Sequence, residues 1–233
     1  MMANLVGKTV LVIGASGAFG QELSQQLMAQ GAKVIGTSSS AASSSRLPVD
    51  LEQRLLVDLT DRTSIQTLTQ YLLTSKTPID AIVLAAGVVA FGAISETPAE
   101  IVSKLISVNA LGQIDLVSQL VPALAESAAQ NREPFILSIS GVISEAPMAG
   151  LAAYSASKTA IHGYGKAAAK ELKKLGIRWL DARPGHTESG LATRAIHGTA
   201  PNFGVGASVE NVVSRIIAGI LNDEPDLPST SFK

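Results

Sequence analysis

The sequence of 233 residues has no cysteine, one tryptophan and three histidines. Without cysteine there is no disulfide framework, no thiolate metal site and no cysteine nucleophile. The histidines, His162, His186 and His197, are scattered and do not make a metal-ligand pattern, so no metal is expected. Charge is also scarce. Charged residues are 16%, with 18 basic side chains against 19 acidic ones and a net charge of -1. Such a chain has no global basic field for a nucleic-acid backbone, and nucleic acid is not an expected partner. No apolar run approaches the roughly 18 residues of a membrane span, so no membrane segment is expected. The opening residues from Met1 to Lys8 lack the long apolar stretch and cleavage site of a signal peptide. A cytoplasmic location is the expectation.

Hydrophobic residues, at 46%, are abundant, which excludes disorder for most of the chain. Short apolar runs alternate with amphipathic stretches. Strands are expected at Thr9–Ile13, Lys33–Thr37, Arg54–Val57, Ala81–Ala85, Phe135–Ile139 and Ile177–Asp181. Helices are expected at Gln21–Gln30, Ser64–Leu73, Pro98–Ala129 (bent near Pro122), Leu151–Leu175 and Val209–Leu221. The strands are apolar without alternation, so both their faces are buried. The pattern predicts an α/β fold: a doubly wound, Rossmann-type parallel sheet of about six strands with helices on both faces, in a single domain over 1–233. Ser38–Ser45 is too polar and small for core and reads as a loop, and Asp223–Lys233 reads as an irregular tail.

Gly14-Ala15-Ser16-Gly17-Ala18-Phe19-Gly20 follows the first strand and precedes a helix. Glycines there permit a tight turn and a close approach to a pyrophosphate, and the helix N-terminus offers free N–H groups. Gly14, Ser16, Gly17, Phe19 and Gly20 are therefore nucleotide-binding candidates. With this turn on the page, the sequence resembles the short-chain dehydrogenase/reductase family over about residues 7–190. Gly14 and Gly20 match the ends of the family glycine pattern. Ala18 stands at the middle position and Gly17 comes one residue early.

An acid at the end of the second strand normally holds the ribose of NAD. Ser38 occupies that place here, followed by Ser39. Losing the carboxylate removes repulsion against a 2′-phosphate, so NADP is expected rather than NAD, with Arg46 or Lys33 as the cation. The resemblance implies that Asp58, followed by Leu59, contacts the adenine; a helix cap or turn is its other reading. It also implies that Ala86-Gly87 ends the fourth strand against the cofactor, without the family's two asparagines. Pro184-Gly185 matches the turn beside the nicotinamide, where Thr187 or Ser189 could reach the carboxamide. His186 either lines the substrate pocket or sits in water, and His162 faces solvent or an interface.

Tyr154 and Lys158 are four apart, on one face of a helix. The ammonium of Lys158 would stabilise a tyrosinate. The block Leu151–Ile161 is typical of the family. By that resemblance Tyr154 donates a proton to a carbonyl as hydride arrives, Lys158 bonds the nicotinamide ribose, and the carbonyl of Asn109 holds a relay water. The family serine lies thirteen residues before the tyrosine, where this chain has Gly141. Either Ser140 serves instead or the role is lost, with Ser144 as a distant alternative. Ser189–Ala207, rich in glycine, would be the substrate lid.

These residues together predict an NADP-dependent oxidoreductase interconverting a carbonyl and an alcohol, acting on a small molecule. The alternatives are a catalytically weak nucleotide-binding regulator and an epimerase or dehydratase. The family ends in a seventh strand that builds tetramer contacts. No strand-like run follows Asn222, so that strand is expected to be missing and a homodimer or other homo-oligomer is expected.

Overall fold

In the computed structural model, which describes residues 4–232, the apolar runs become six strands. These are β1 (Thr9–Ile13), β2 (Lys33–Ser38), β3 (Gln53–Leu56), β4 (Ala81–Leu84), β5 (Phe135–Ile139) and β6 (Arg178–Ala182). All are parallel, in the order β3-β2-β1-β4-β5-β6. Every residue of β1 and β4 is buried, whereas edge strand β3 alternates between half-buried and exposed. The doubly wound sheet is as the apolar patterning predicts.

The helices are α1 (Ala18–Ala29), α2 (Ala41–Ser44), α3 (Arg62–Thr74), α4 (Ala99–Ile106), α5 (Gly112–Ala129), α6 (Ala152–Leu172) and α7 (Val209–Leu221). One face of the sheet packs on α1 and α7 through Leu23, Leu27, Val213, Ile216 and Ile220. The other packs on α3, α5 and α6 through Leu68, Leu72, Leu116, Leu120 and Ile161. Strand order reverses at β1 and β4, which opens a crevice at their carboxyl ends.

Three expectations are corrected. The long helix is not continuous, and Pro122 lies inside its second part, α5. It breaks at Ser107–Leu111, a wider π turn with Asn109 inside it. Such a turn departs from the regular i→i−4 backbone ladder. The serine run is not a loop throughout. Ser38 ends β2, and Ser40 caps the short α2 in a reciprocal capping box with Ser43. The tail is not simply irregular. Leu227, fully buried, makes a one-residue parallel bridge to Ala182 where a seventh strand would pair, and a 3₁₀ turn follows over Ser229–Phe232. No seventh strand forms among the described residues. Met1, Met2, Ala3 and Lys233, which belong to the expected start and tail, lie outside the described residues.

By length and composition Ala99–Ala129 could cross a membrane. Leu105, Leu116, Leu120 and Leu124 are instead fully buried here, so it packs as a core helix.

Candidate active site

A cleft of about 880 Å³ runs along the carboxyl ends of the strands, within the usual range for ligand sites of roughly 300–1,000 Å³. At one end lie the glycine turn and the start of α1. Gly14 has φ +83°, and a Cβ there would come within 2.8 Å of the Ala86 backbone. A Cβ at Gly20 would collide with the Gly14 carbonyl oxygen. Gly14 thus faces the cleft, whereas Gly20, outside the lining, serves to seat α1 on the turn. Gly17 caps α1 with no side-chain hydrogen bond, and no acid lies in the first turn. These features fit an anionic diphosphate, with Ser16, Gly17 and Phe19 lining the cleft.

The second-strand end carries no carboxylate. Ser38 is buried, and its hydroxyl is taken up by Ser44 Oγ at 2.7 Å and the Ser40 carbonyl at 3.2 Å. Ser39 and Arg46 line the cleft, and Arg46 Nε donates to the Ser16 carbonyl at 3.4 Å. Lys33 begins β2 at the opposite end of the sheet and is excluded as the cation. Asp58 lines the cleft with Leu59 and holds a turn: its Oδ1 accepts from Thr60 N at 2.8 Å and Thr60 Oγ1 at 2.7 Å.

Tyr154 and Lys158 lie on the first turns of α6, facing the cleft. Burial pushes the Tyr154 phenol up to about 12. Burial brings the Lys158 ammonium down to about 8, against an opposing pull from the charge of Asp181. Lys158 Nζ donates to the Ile139 carbonyl at 2.7 Å. A Cβ on Gly87 would stand 3.5 Å from Asn109 Oδ1 and 3.6 Å from Lys158 Nζ, so this glycine keeps open the space before both. Asn109 is fully buried and off the cleft lining. Its Oδ1 accepts from Val88 N at 2.9 Å, and its Nδ2 donates to the Val88 carbonyl at 2.8 Å. The π turn thereby fixes the chain leaving β4.

Ser140 lines the cleft, but its hydroxyl donates to Asp181 Oδ2 at 2.6 Å. Ser144 donates to the Gly141 carbonyl at 2.8 Å, lies 3.1 Å from Ser140 Oγ and is outside the lining. Gly141, in the usual serine position, has φ +74°. His162 does not face solvent as expected: its Nδ1 lies 2.7 Å from Asp181 Oδ2. Sequence reasoning missed Asp181; the available signal was an acid inside an otherwise apolar strand.

Pro184, Gly185 and Thr187 line the other end of the cleft, with the Thr187 hydroxyl turned to the Gly185 carbonyl at 3.0 Å. His186 is among the lining residues, its ring 5.1 Å from that of Phe203. Val89, Phe91, Ile143 and Leu151 form a small apolar cluster there with Tyr154, Leu191, Ala192 and Phe203. The 189–207 segment is tied down at two places. Ile196 N donates to the Val89 carbonyl and Phe91 N to the His197 carbonyl, both at 2.9 Å; Glu188 N donates to the Ala207 carbonyl at 2.9 Å.

A doubly wound sheet, a glycine turn at its crevice and a tyrosine–lysine helix beside it define a nucleotide-binding oxidoreductase. The family described as short chain dehydrogenase matches residues 8–199, and the chain belongs to that family. It is 28% identical over 242 residues to a dehydrogenase/reductase SDR family protein 7-like of Anopheles gambiae, covering 96% of this chain and 75% of that one. It is 29% identical over 196 residues to the 3-oxoacyl-(acyl-carrier-protein) reductase FabG of Escherichia coli (strain K12), covering 83% and 78%. The fold matches the crystal structure of 3-ketoacyl-(acyl-carrier-protein) reductase from Brucella melitensis complexed with NADH at a TM-score of 0.85 and 22% identity, covering 96% and 97%. It matches a short-chain dehydrogenase from Sphingobium yanoikuyae in complex with NADPH at 0.81 and 22%, covering 95% and 87%.

Proposed function

We propose that the protein is an NADP-dependent oxidoreductase that interconverts a carbonyl and an alcohol. The observation that carries this reading is Tyr154 and Lys158 on one face of α6, opening into the strand-end cleft beside Gly87. The glycine cradle and the uncapped start of α1 would hold the cofactor diphosphate, and the nicotinamide, when bound, supplies or takes up the hydride. Tyr154 gives its proton to the carbonyl oxygen in reduction and removes it from the alcohol in oxidation. Lys158 stabilises the resulting phenolate. Asn109 holds the Val88 backbone and so the wall behind them. The apolar end around Phe91 and Phe203 would take the substrate body, with 189–207 as its cover.

The preference for NADP rests on Ser38 at the acid position and on Arg46 at the cleft. A guanidinium can hold a 2′-phosphate through two parallel hydrogen bonds. One observation favours the regulator reading: Gly141 stands at the serine position, and the Ser140 proton points to Asp181 rather than to the cleft.

The test is oxidation of NADPH and NADH by wild type, Tyr154→Phe and Arg46→Ala over ketones, aldehydes, quinones and acyl thioesters. We expect turnover with NADPH, falling about a hundredfold or more in Tyr154→Phe. Arg46→Ala should raise KM for NADPH about tenfold and leave NADH unchanged. Tight NADPH binding without turnover in any protein would favour the regulator. A wild-type preference for NADH would overturn the reading of Ser38.

A further inference from the structure

Asp181 is a carboxylate inside the central sheet that the mechanism above does not use. It is 5% exposed and is met by four groups. Ser138 Oγ donates to its Oδ1 at 2.6 Å, and Ser138 in turn accepts from Trp179 Nε1 at 3.0 Å. Its Oδ2 receives Ser140 Oγ at 2.6 Å, His162 Nδ1 at 2.7 Å and Arg183 Nη1 at 3.1 Å. Strand register brings this about. Ser138 pairs with Asp181 across β5 and β6, and Ser140 and Arg183 lie two residues further on, on the same face. Burying a carboxylate is costly unless it is paired and hydrogen-bonded, and here the pairing converges on a residue of the cleft wall. It is no hydrolytic triad, because Ser140 and His162 both bond the same carboxylate rather than each other.

We propose that Asp181 is a positioning residue of the reaction: its carboxylate fixes the Ser140 hydroxyl at the cleft floor and supplies the negative charge behind the Lys158 ammonium. The inference rests on the oxidoreductase reading of the same site. A hydroxyl has one proton, and that of Ser140 is committed to Asp181. Ser140 must therefore release Asp181 before it can donate to a substrate oxygen. Asp181 is also the one charge that opposes the effect of burial on Lys158.

The other groups around the pair are accounted for. Tyr154 shares α6 with Lys158. From β5 and the π turn come neutral groups: the Ile139 carbonyl, Ser138, Ser140 and Asn109. On β6 and beyond it, Arg183 pairs with Glu145 and Asp226 as well as with Asp181. His162 of α6 bonds Asp181 itself, Lys104 of α4 is exposed and lines the cleft, Glu100 is exposed, and Asp115 of α5 pairs with Arg62. Removing a nearby negative charge eases proton loss from Lys158. The sign of the expected shift is therefore settled in advance.

The experiment compares full-length wild type with Asp181→Asn, Asp181→Glu and Ser140→Ala, each checked for Tm and NADPH binding. The first readout is NMR titration of the Lys158 side chain, assigned by difference from the matching Lys158→Met protein, which needs no turnover. Asp181→Asn should move Lys158 ionisation to lower pH by about one unit. Asp181→Glu should restore it, and Ser140→Ala, which keeps the charge, should not move it. The second readout is kcat against pH. In Asp181→Asn the alkaline fall of carbonyl reduction should move to lower pH, with kcat down about tenfold and KM within about twofold. Should Asp181→Asn fail to fold, Asp181→Thr replaces it with the same expectation. A folded neutral variant whose titration is unmoved overturns the inference. Absence of wild-type turnover over the whole panel overturns the reductase reading alone, because the titration still reports on Asp181.

Discussion

Replacing Lys158 by methionine should make the protein more stable at neutral pH while abolishing turnover. Lys158 is 7% exposed, and burial lowers it from 10.5 to about 8. Each unit is about 1.36 kcal/mol, so the 2.5-unit gap corresponds to roughly 3 kcal/mol spent on keeping this charge inside the folded state. The sign follows from proton counting. Between pH 8 and 10.5 the unfolded chain holds a proton on Lys158 that the folded one has released, so stability from this group rises with pH across that window. Below pH 8 both states are charged and the full cost is present. Methionine keeps most of the volume and carries no charge, but leaves the Ile139 carbonyl without its donor at about 1–3 kcal/mol. The net expectation at pH 7 is zero to about 2 kcal/mol of stabilisation, or up to several degrees in Tm. Denaturant unfolding of both proteins between pH 7 and 10.5 measures it. The variant-minus-wild-type difference should fall by roughly 3 kcal/mol toward the alkaline end, reversing its sign. A difference that does not change with pH would refute the reasoning, since packing effects of the methionine are constant across the titration.

Gly87→Ala should leave the fold intact, because the new methyl meets Asn109 Oδ1 at 3.5 Å and Lys158 Nζ at 3.6 Å, ordinary contact distances. Tm should stay within about 3 °C of wild type while NADPH affinity, measured by fluorescence, drops tenfold or more as the methyl fills the space before Lys158. Asp80 is fully buried at the other end of β4, held by Arg132 through both oxygens (2.6 Å each), by Ser127 Oγ (2.7 Å) and by Thr9 N (2.7 Å). Burial pushes its carboxyl up, but these hydrogen bonds prevail and hold it below the ordinary 3.8. Its contribution is therefore present above that value and lost as pH falls through the lowered one. Asp80→Asn should cost about 3 kcal/mol at pH 7, and acid unfolding should narrow the gap to wild type below about pH 4.

The legibility of the site follows the reach of each interaction along the chain. Tyr154 and Lys158 were readable because helix geometry alone puts residues four apart on one face. The glycine turn was readable because its demands are local: Gly14 must take φ +83° against Ala86, and Gly20 must leave room for the Gly14 carbonyl. The strands were readable because burial on both faces removes alternation. Asp181 and Ser140, 41 residues apart, were not readable as partners. Nothing local to either residue specifies the register of β5 against β6 that joins them. His162 reads as a surface residue until α6 is laid on that sheet. The π turn at Ser107–Leu111 was not readable, because no proline or glycine marks it and the Asn109 contact to Val88 that accompanies it joins residues 21 apart.

By itself, then, the amino-acid order determined the α/β alternation, the parallel sheet, the nucleotide-type turn and the tyrosine–lysine pair. Each of these is set by periodicity or by spacing within one element. Only the tertiary structure decided that Ser140 gives its proton to Asp181, that His162 lies behind the site, that Ser38 spends its hydroxyl on its own loop, and that Leu227 closes the sheet edge in place of a strand. Those are contacts between elements, created when packing of the two apolar faces sets strand order and helix placement.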